Sequence, residues 1–188
     1  MQKELMNSFD KSFKEKLILK INKNCSLRIL NPSDVSQDYI SWMNDYEVVK
    51  FTEQSEILHS KSSIKKFVKE KLDSKSELLF GIFYKEKHIG NIKLGPIKWN
   101  DLTSDISYII GIKELWGKGI ATSSINAVSN FSNKSLNLKK LYAGYYENNF
   151  GSARALEKCG FTIDYIKKKD ILFEGLRKDR IRVSLTLL

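Results

Sequence analysis

The spacing of apolar residues changes near residue 78, and this change limits the folds open to the chain. Before it, Ile64, Phe67, Val68 and Leu72 recur at the 3.6-residue spacing of a helix, from about residue 62, whose lysines lie on the solvent side. After it, residues 78–85, 88–97 and 105–112 alternate with a period of two and are separated by short turns. The spacing therefore predicts a helix followed by an antiparallel meander.

Two further strands are predicted before this helix and several elements after the meander. Residues 17–21 and 25–30 flank an Asn-Lys-Asn turn, and a helix with Ser33 as its N-cap follows. Beyond the meander we expect a helix over 119–131, a strand over 140–146, a helix over 152–159 and a hairpin of 161–172 with 177–187. This order predicts an α+β fold with a mixed, mainly antiparallel central sheet, in which the 119–131 helix joins two neighbouring strands.

The 188 residues contain no Pro-, Gly- or Ser-rich linker, which predicts a single domain over residues 13–188. Residues 1–12 are expected to form a loosely ordered extension. Charged residues are scattered through the first 24 positions, so we expect neither an export signal nor a membrane span, and a cytoplasmic protein.

The net charge of +10 first suggests a nucleic-acid or membrane-surface partner. Only five of the 32 basic residues are arginine, the residue that binds phosphates and bases with two hydrogen bonds. The chain also lacks zinc-ligand spacing and an aromatic RNA-binding signature. We therefore expect no nucleic-acid or membrane partner and interpret the charge mainly as a lysine-rich surface, with a basic nucleic-acid binder as an alternative.

Histidine and cysteine, two common metal-ligating residue types, are sparse, with two of each. Cys25 and Cys159 lie far apart, and His59 and His88 are isolated, so no metal site is expected. Both histidines are predicted to be surface or turn residues. Cys159, beside a helix end, is predicted to be a small buried apolar residue and not a nucleophile.

The most informative segment is Trp116-Gly117-Lys118-Gly119-Ile120, in which a strand has just ended and an amphipathic helix begins. Glycines allow close approach of the backbone to a ligand, and a helix N-terminus offers unpaired amides, so the segment is suited to a pyrophosphate. A simple turn is the alternative. The glycine spacing does not fit a P-loop, and Thr122 stands where a dinucleotide fingerprint needs Gly or Ala.

The six residues Glu114-Leu-Trp-Gly-Lys-Gly119 resemble the acyl-CoA loop of the GCN5-related N-acetyltransferase (GNAT) family, although Glu114 stands where that family has Gln or Arg. Asn149-Phe-Gly-Ser152, followed by Glu157-Lys-Cys-Gly-Phe161, resembles the family's later motif. The same residues also suit helix capping, with Ser152 as N-cap, Gly160 at C′ and Phe161 closing the end. Residues 27–34 and 42–48 are similar to the subgroup of ribosomal-protein N-terminal acetylases and polysaccharide-cluster acyltransferases.

The resemblance implies a splayed strand pair that holds acetyl-CoA as a co-substrate, without a metal. On the matching positions, Tyr108, Ile109 and Ile110 would face the pantetheine and thioester, and Asn149 would reach the pantetheine arm. The pyrophosphate would be bound by Trp116, Gly117, Lys118, Gly119, Ile120 and Ala121. Lys113, Lys118 and Lys158 would form a basic mouth.

For catalysis, the resemblance implies Ser152 as the acid, because Leu156 stands where many relatives carry a tyrosine acid. Capping is the alternative role of Ser152. Glu147 is the candidate base, and Asp105, Asp170, a water chain, Tyr145 and Tyr146 remain open.

The acceptor is expected to be a small-molecule primary amine, selected by residues 46–60 and the closing hairpin. We favour an amino sugar or a nucleotide-linked amino sugar. A protein N-terminus, a polyamine and an aminoglycoside are alternatives, as is a catalytically inactive CoA-binding module. A monomer and a homodimer both remain open.

Overall fold

The predicted period-two segments form strands in the computed structural model, which describes residues 11–188. The strands are β1 (Ile18–Asn22), β2 (Cys25–Ile29), β3 (Leu78–Tyr84), β4 (Lys87–Lys98), β5 (Thr103–Ile110), β6 (Lys140–Tyr146), β7 (Thr162–Phe173) and β8 (Leu176–Thr186). They form one sheet in the order β1-β2-β3-β4-β5-β6-β8-β7. Each neighbouring pair is antiparallel except β5 with β6, which confirms the mixed, mainly antiparallel α+β sheet.

The helices flank this sheet. They are α1 (Lys11–Lys16), α2 (Gln37–Met43), α3 (Tyr46–Val49), α4 (Lys61–Asp73), α5 (Ile120–Lys134) and α6 (Phe150–Lys158). Helix α5 connects the parallel neighbours β5 and β6, as predicted. The short helices α1 and α3 were not predicted, because four to six residues are too few to establish a helical period.

Two apolar clusters lie on opposite faces of the sheet. One joins α5 and α6 to the strands and includes Phe80, and the other joins α2, α3 and α4 and includes Leu79. Since adjacent strand residues point to opposite faces, these two neighbours separate the clusters. The sheet is therefore a middle layer between two layers of helices.

Two local predictions were wrong. Ser33 lies in a 3-10 turn (Pro32–Asp34), and the N-cap of α2 is Ser36, whose Oγ accepts a hydrogen bond from Tyr39 N at 3.2 Å. The reason is that the Asp34 carboxylate accepts from Arg28 and from Asn31 N, which holds the chain in the tighter turn. Phe67 is 41% exposed, because the buried stripe of α4 consists of residues four apart (Ile64, Val68 and Leu72).

The start of the chain is described from Lys11, so the predicted extension lies largely outside the described residues. Helix α1 begins at Lys11, and the predicted boundary between residues 12 and 13 falls inside it. The side chain of Lys14 in this helix is fully buried against the end of α4. The domain boundary itself stays a prediction.

Candidate active site

The strands β5 and β6 separate after three paired residues. Thr103, Ser104 and Asp105 pair with Lys140, Leu141 and Tyr142, and no later pair is formed between these strands. Beyond that point β5 continues alongside β4 as far as Ile110, and β6 continues alongside β8 as far as Tyr146. Within residues 11–188, no strand pairs with the facing edges of residues 106–110 and 143–146, and the two strands thus form the expected splayed pair with an opening between them.

The glycine loop lies between the end of β5 and the start of α5. Gly117 and Gly119 have φ angles of 73° and 77°, which residues with a side chain rarely adopt, and a Cβ at either would meet no other described part of the chain within 4 Å. Gly119 is the N-cap of α5 and offers no side chain, and the first bond of the helix runs from Ser123 N to Gly119 O at 2.9 Å. The two glycines thus leave open space beside the positive end of a helix, where an anion is stabilised.

Trp116 fixes this loop to the strand before it. Its indole N–H donates to Ile110 O at 2.9 Å, and the side chain is 44% exposed. Lys113, predicted to line a basic mouth, pairs instead with Asp45 at 2.7 Å. Lys118 and Lys158 are exposed.

The start of α6 differs from the capping prediction. Asn149 is the N-cap, and its Oδ1 accepts from Ser152 N at 3.1 Å, so the prediction of Ser152 as N-cap was wrong. Asparagine and serine both accept well at this position, and the helix begins at Phe150, two residues before the predicted start. The cap leaves the hydroxyl of Ser152 available for another contact.

That contact is with Tyr108. The two hydroxyl oxygens are 2.7 Å apart, and the Tyr108 hydroxyl also lies 3.3 Å from Ser152 O. Burial raises the pKa of Tyr108 to about 12. Sequence reasoning considered only the backbone of Tyr108, although the alternation of β5 places its side chain on the α6 face together with buried Ile106.

Glu147 is bound to the closing hairpin. Its Oε2 accepts from Asp179 N at 2.8 Å, its own N–H donates to Asp179 O, and Lys178 lies 3.5 Å from Oε1. The two other candidate carboxylates are also paired. Asp105 lies 2.5 Å from Arg182, and a hydrogen bond from Lys167, together with Arg180, lowers the pKa of Asp170.

The C-terminal end of α6 has the predicted form. Gly160 has a φ of 84°, and Phe161 N donates to Leu156 O at 3.1 Å while its ring is buried. Leu156 is only 1% exposed. The position that carries a tyrosine in many relatives is therefore occupied here by a core leucine.

The predictions for the two histidines and for Cys159 compare differently with the structure. His88, predicted to be a surface or turn residue, lies just after the β3–β4 turn but is half-buried: its Nε2 lies 2.8 Å from Asn91 Oδ1, and its ring stacks on Phe83. His59 is partly exposed. Burial raises the pKa of Cys159 to about 11, which agrees with a non-nucleophilic thiol.

The two segments predicted to select the acceptor meet. Tyr46 donates to Glu174 at 3.3 Å, the rings of Phe51 and Phe173 stack at 5.0 Å, and Arg180 lies 3.4 Å from Glu53.

Within residues 11–188, no three metal-ligating side chains converge and no helix is long and apolar enough to cross a membrane.

The sequence comparison identifies the family. A family profile described as an acetyltransferase (GNAT) domain matches residues 25–162. The chain belongs to the GNAT acetyltransferase family. It is 34% identical over 113 residues to the probable N-acetyltransferase YjcK of Bacillus subtilis (strain 168), covering 58% of this chain and 62% of YjcK. The chain thus matches somewhat less than two thirds of that relative.

Solved structures share the fold. A ribosomal L7/L12 alpha-N-protein acetyltransferase in complex with coenzyme A superposes with a TM-score of 0.83 at 15% identity, covering 91% of this chain and 98% of that one. A spermidine N-acetyltransferase from Vibrio cholerae in complex with CoA and spermine gives 0.77 at 22% identity, covering 88% and 96%. The splayed strands and glycine loop thus belong to a GNAT fold.

Proposed function

We propose that the protein is an acetyl-CoA-dependent N-acetyltransferase that transfers an acetyl group to a primary amine. The observation that carries this proposal is the separation of β5 from β6 after Asp105 and Tyr142, together with the open glycine loop at the start of α5. The open space at Gly117 and Gly119 fits a pyrophosphate, and the unpaired strand edges fit the amide groups of a pantetheine arm. Acetyl-CoA supplies the acyl group as a thioester.

The residues that would hold this co-substrate are those of the sequence prediction. Tyr108, Ile109 and Ile110 line the β5 side of the opening, and Asn149 lies at the start of α6. The loop contributes Trp116, Gly117, Lys118, Gly119, Ile120 and Ala121. Backbone amides provide most of the anion contacts, since Lys113 is already paired with Asp45.

As the acceptor we propose an amino sugar, free or nucleotide-linked. The wall formed by residues 46–60 and the closing hairpin combines aromatic rings with carboxylates that already have cationic partners. Asp170 lies 2.8 Å from Arg180, and Asp179 lies 2.6 Å from Lys168. Neutralised carboxylates attract a polycation less strongly, which favours a hydroxylated acceptor over a polyamine.

The test is release of free thiol from acetyl-CoA in the presence of glucosamine, UDP-glucosamine, spermidine and a peptide with an N-terminal alanine. We expect the fastest turnover with one of the two sugars. Preference for spermidine or the peptide would contradict the acceptor class and leave the acetyltransferase proposal standing.

Gly119→Glu serves as the control, because a carboxylate at this positive-φ position would occupy the anion site. It should abolish CoA binding measured by calorimetry. Wild-type binding of CoA without turnover on any amine would indicate a CoA-binding module, and salt-dependent DNA binding without CoA binding would overturn the proposal.

A further inference from the structure

A pair of hydroxyl groups links the two sides of the opening. Tyr108 lies in the part of β5 that has separated from β6, and Ser152 lies in the first turn of α6. Their oxygens are 2.7 Å apart, within the distance of a strong O–H···O bond. Beyond Asp105, β5 no longer pairs with β6, and the hydroxyl contact joins β5 to α6, the helix that follows β6.

The chemistry of the two groups decides which one donates. Donation from Tyr108 to Ser152 Oγ is the favoured direction, because a phenol is a stronger acid than an alcohol and Ser152 Oγ, at 2.7 Å, lies closer to the phenol than Ser152 O does at 3.3 Å. Burial raises the pKa of Tyr108 to about 12, so the phenol stays protonated at neutral pH. Because Asn149 supplies the capping acceptor of the helix, Ser152 Oγ is not needed as a cap, and the serine hydroxyl can accept from Tyr108 and donate its own hydrogen elsewhere.

We propose that Tyr108 is a positioning residue for Ser152, directing the serine hydroxyl hydrogen at the leaving sulfur. This inference rests on the proposed acetyltransferase function and goes beyond it by giving the Tyr108 side chain a role. Accepting a hydrogen bond from the phenol also makes the serine hydroxyl a better donor.

The step balances as follows. The acceptor nitrogen forms a bond to the thioester carbon, and the carbon–sulfur bond breaks with its electron pair going to sulfur. Ser152 gives its proton to that sulfur as the proton lost by the nitrogen reaches Ser152 Oγ through water, so that no alkoxide is left on the serine. Tyr108 holds its own proton throughout.

The fold explains why this pair would be needed. Leu156 stands at the position of the usual tyrosine acid and is 1% exposed in the core, so it can neither donate a proton nor orient a donor. Tyr108 brings a phenol to the same helix from the opposite side of the opening.

The experiment compares Tyr108→Phe, Ser152→Ala and the double variant, using the amine that the wild type acetylates fastest. We expect each single variant to lower kcat about tenfold or more, as loss of an oriented general acid does. The KM for acetyl-CoA and the CoA dissociation constant should stay within about twofold, and the double variant should be no slower than Ser152→Ala. Tyr84→Phe, a strand tyrosine outside the opening, is the matched control and should keep wild-type kcat.

The outcomes separate the two proposals. Multiplicative losses in the double variant, or a raised KM with an unchanged kcat, would assign Tyr108 a structural or binding role and overturn this inference alone. No turnover by the wild type with any of the four amines would overturn the proposed function, and this inference with it.

Discussion

The end of helix α4 is capped by a side chain from a distant part of the chain. The Lys14 ammonium lies within hydrogen-bond distance of four carbonyls that share its three N–H donors, those of Lys71, Leu72, Ser74 and Glu77, at and just beyond the end of α4. The last carbonyls of a helix have no partner within it and carry the negative end of its dipole, so a cation is suited to this position. Lys14 thus caps α4 from α1.

Replacing Lys14 with Met should lower the free energy of unfolding by about 3 kcal/mol, because buried carbonyls lose a charged donor. Lys16→Met in the same helix is the control, since Lys16 is exposed. Urea denaturation measures both. Equal stability of the two variants would contradict the capping role of Lys14.

Asp34 gives a pH-dependent prediction. Burial raises its pKa, but the two hydrogen bonds from Arg28 and the one from Asn31 N outweigh burial, and the net pKa is lowered. A lowered folded-state pKa contributes stability above the unfolded value of 3.8, and this contribution is lost as the pH falls through the folded value. The wild type should therefore be more stable than Asp34→Asn at pH 7, with the difference shrinking below pH 4 in denaturation curves. A difference that is constant with pH would contradict this.

At the scale of elements, helix α6 shows which capping signals can be assigned from residues alone. Gly160 and Phe161 were assigned correctly, because a positive φ at C′ favours one residue type so strongly. The N-cap was assigned wrongly, because Asn149 and Ser152 are both good acceptors and only the backbone path decides between them.

The two glycines of this helix should respond in opposite ways to alanine. Gly160→Ala should cost about 1 kcal/mol from the left-handed conformation alone, since Leu185 lies at an ordinary 3.5 Å from the added Cβ. Gly151→Ala should stabilise by a few tenths of a kcal/mol, since the helical backbone favours alanine and the closest atom is 3.9 Å away. Thermal melts of the pair measure the difference. The same sign for both changes would refute the assignment of their backbone conformations.

For the whole molecule, the opening in the sheet is the feature on which the proposed function depends. Hydrogen exchange should show fast-exchanging amides in peptides covering 106–110 and 143–146, whose edges facing the opening lack strand partners. CoA should slow this exchange, while peptides from the paired residues 103–105 should change little. Equal protection of both regions without CoA would mean that the strands do not separate in solution.

Much of the fold was predictable from the residues. The alternating runs predicted the strand ends to within two residues, and the Gly-Lys-Gly segment located the start of α5 to one residue, because hydrophobic period and turn chemistry are local properties. The pairing of the hairpins followed from their short connections. The alternation of β5 would also have predicted that the Tyr108 side chain lies on the face of the sheet covered by α5 and α6.

Contacts between distant segments were decided only by the tertiary structure. Whether Ser152 caps a helix or meets Tyr108, 44 residues earlier, depends on how α6 crosses the sheet. The pairing of Lys113 with Asp45 and the partial burial of His88 likewise depend on how α2 and α3 pack on the sheet. The local sequence determined the helices, the strands and the glycine loop through backbone preferences. Which side chains meet was decided by the packing of the helices on the sheet, because the free energy of burying apolar surface is gained only when distant segments come together.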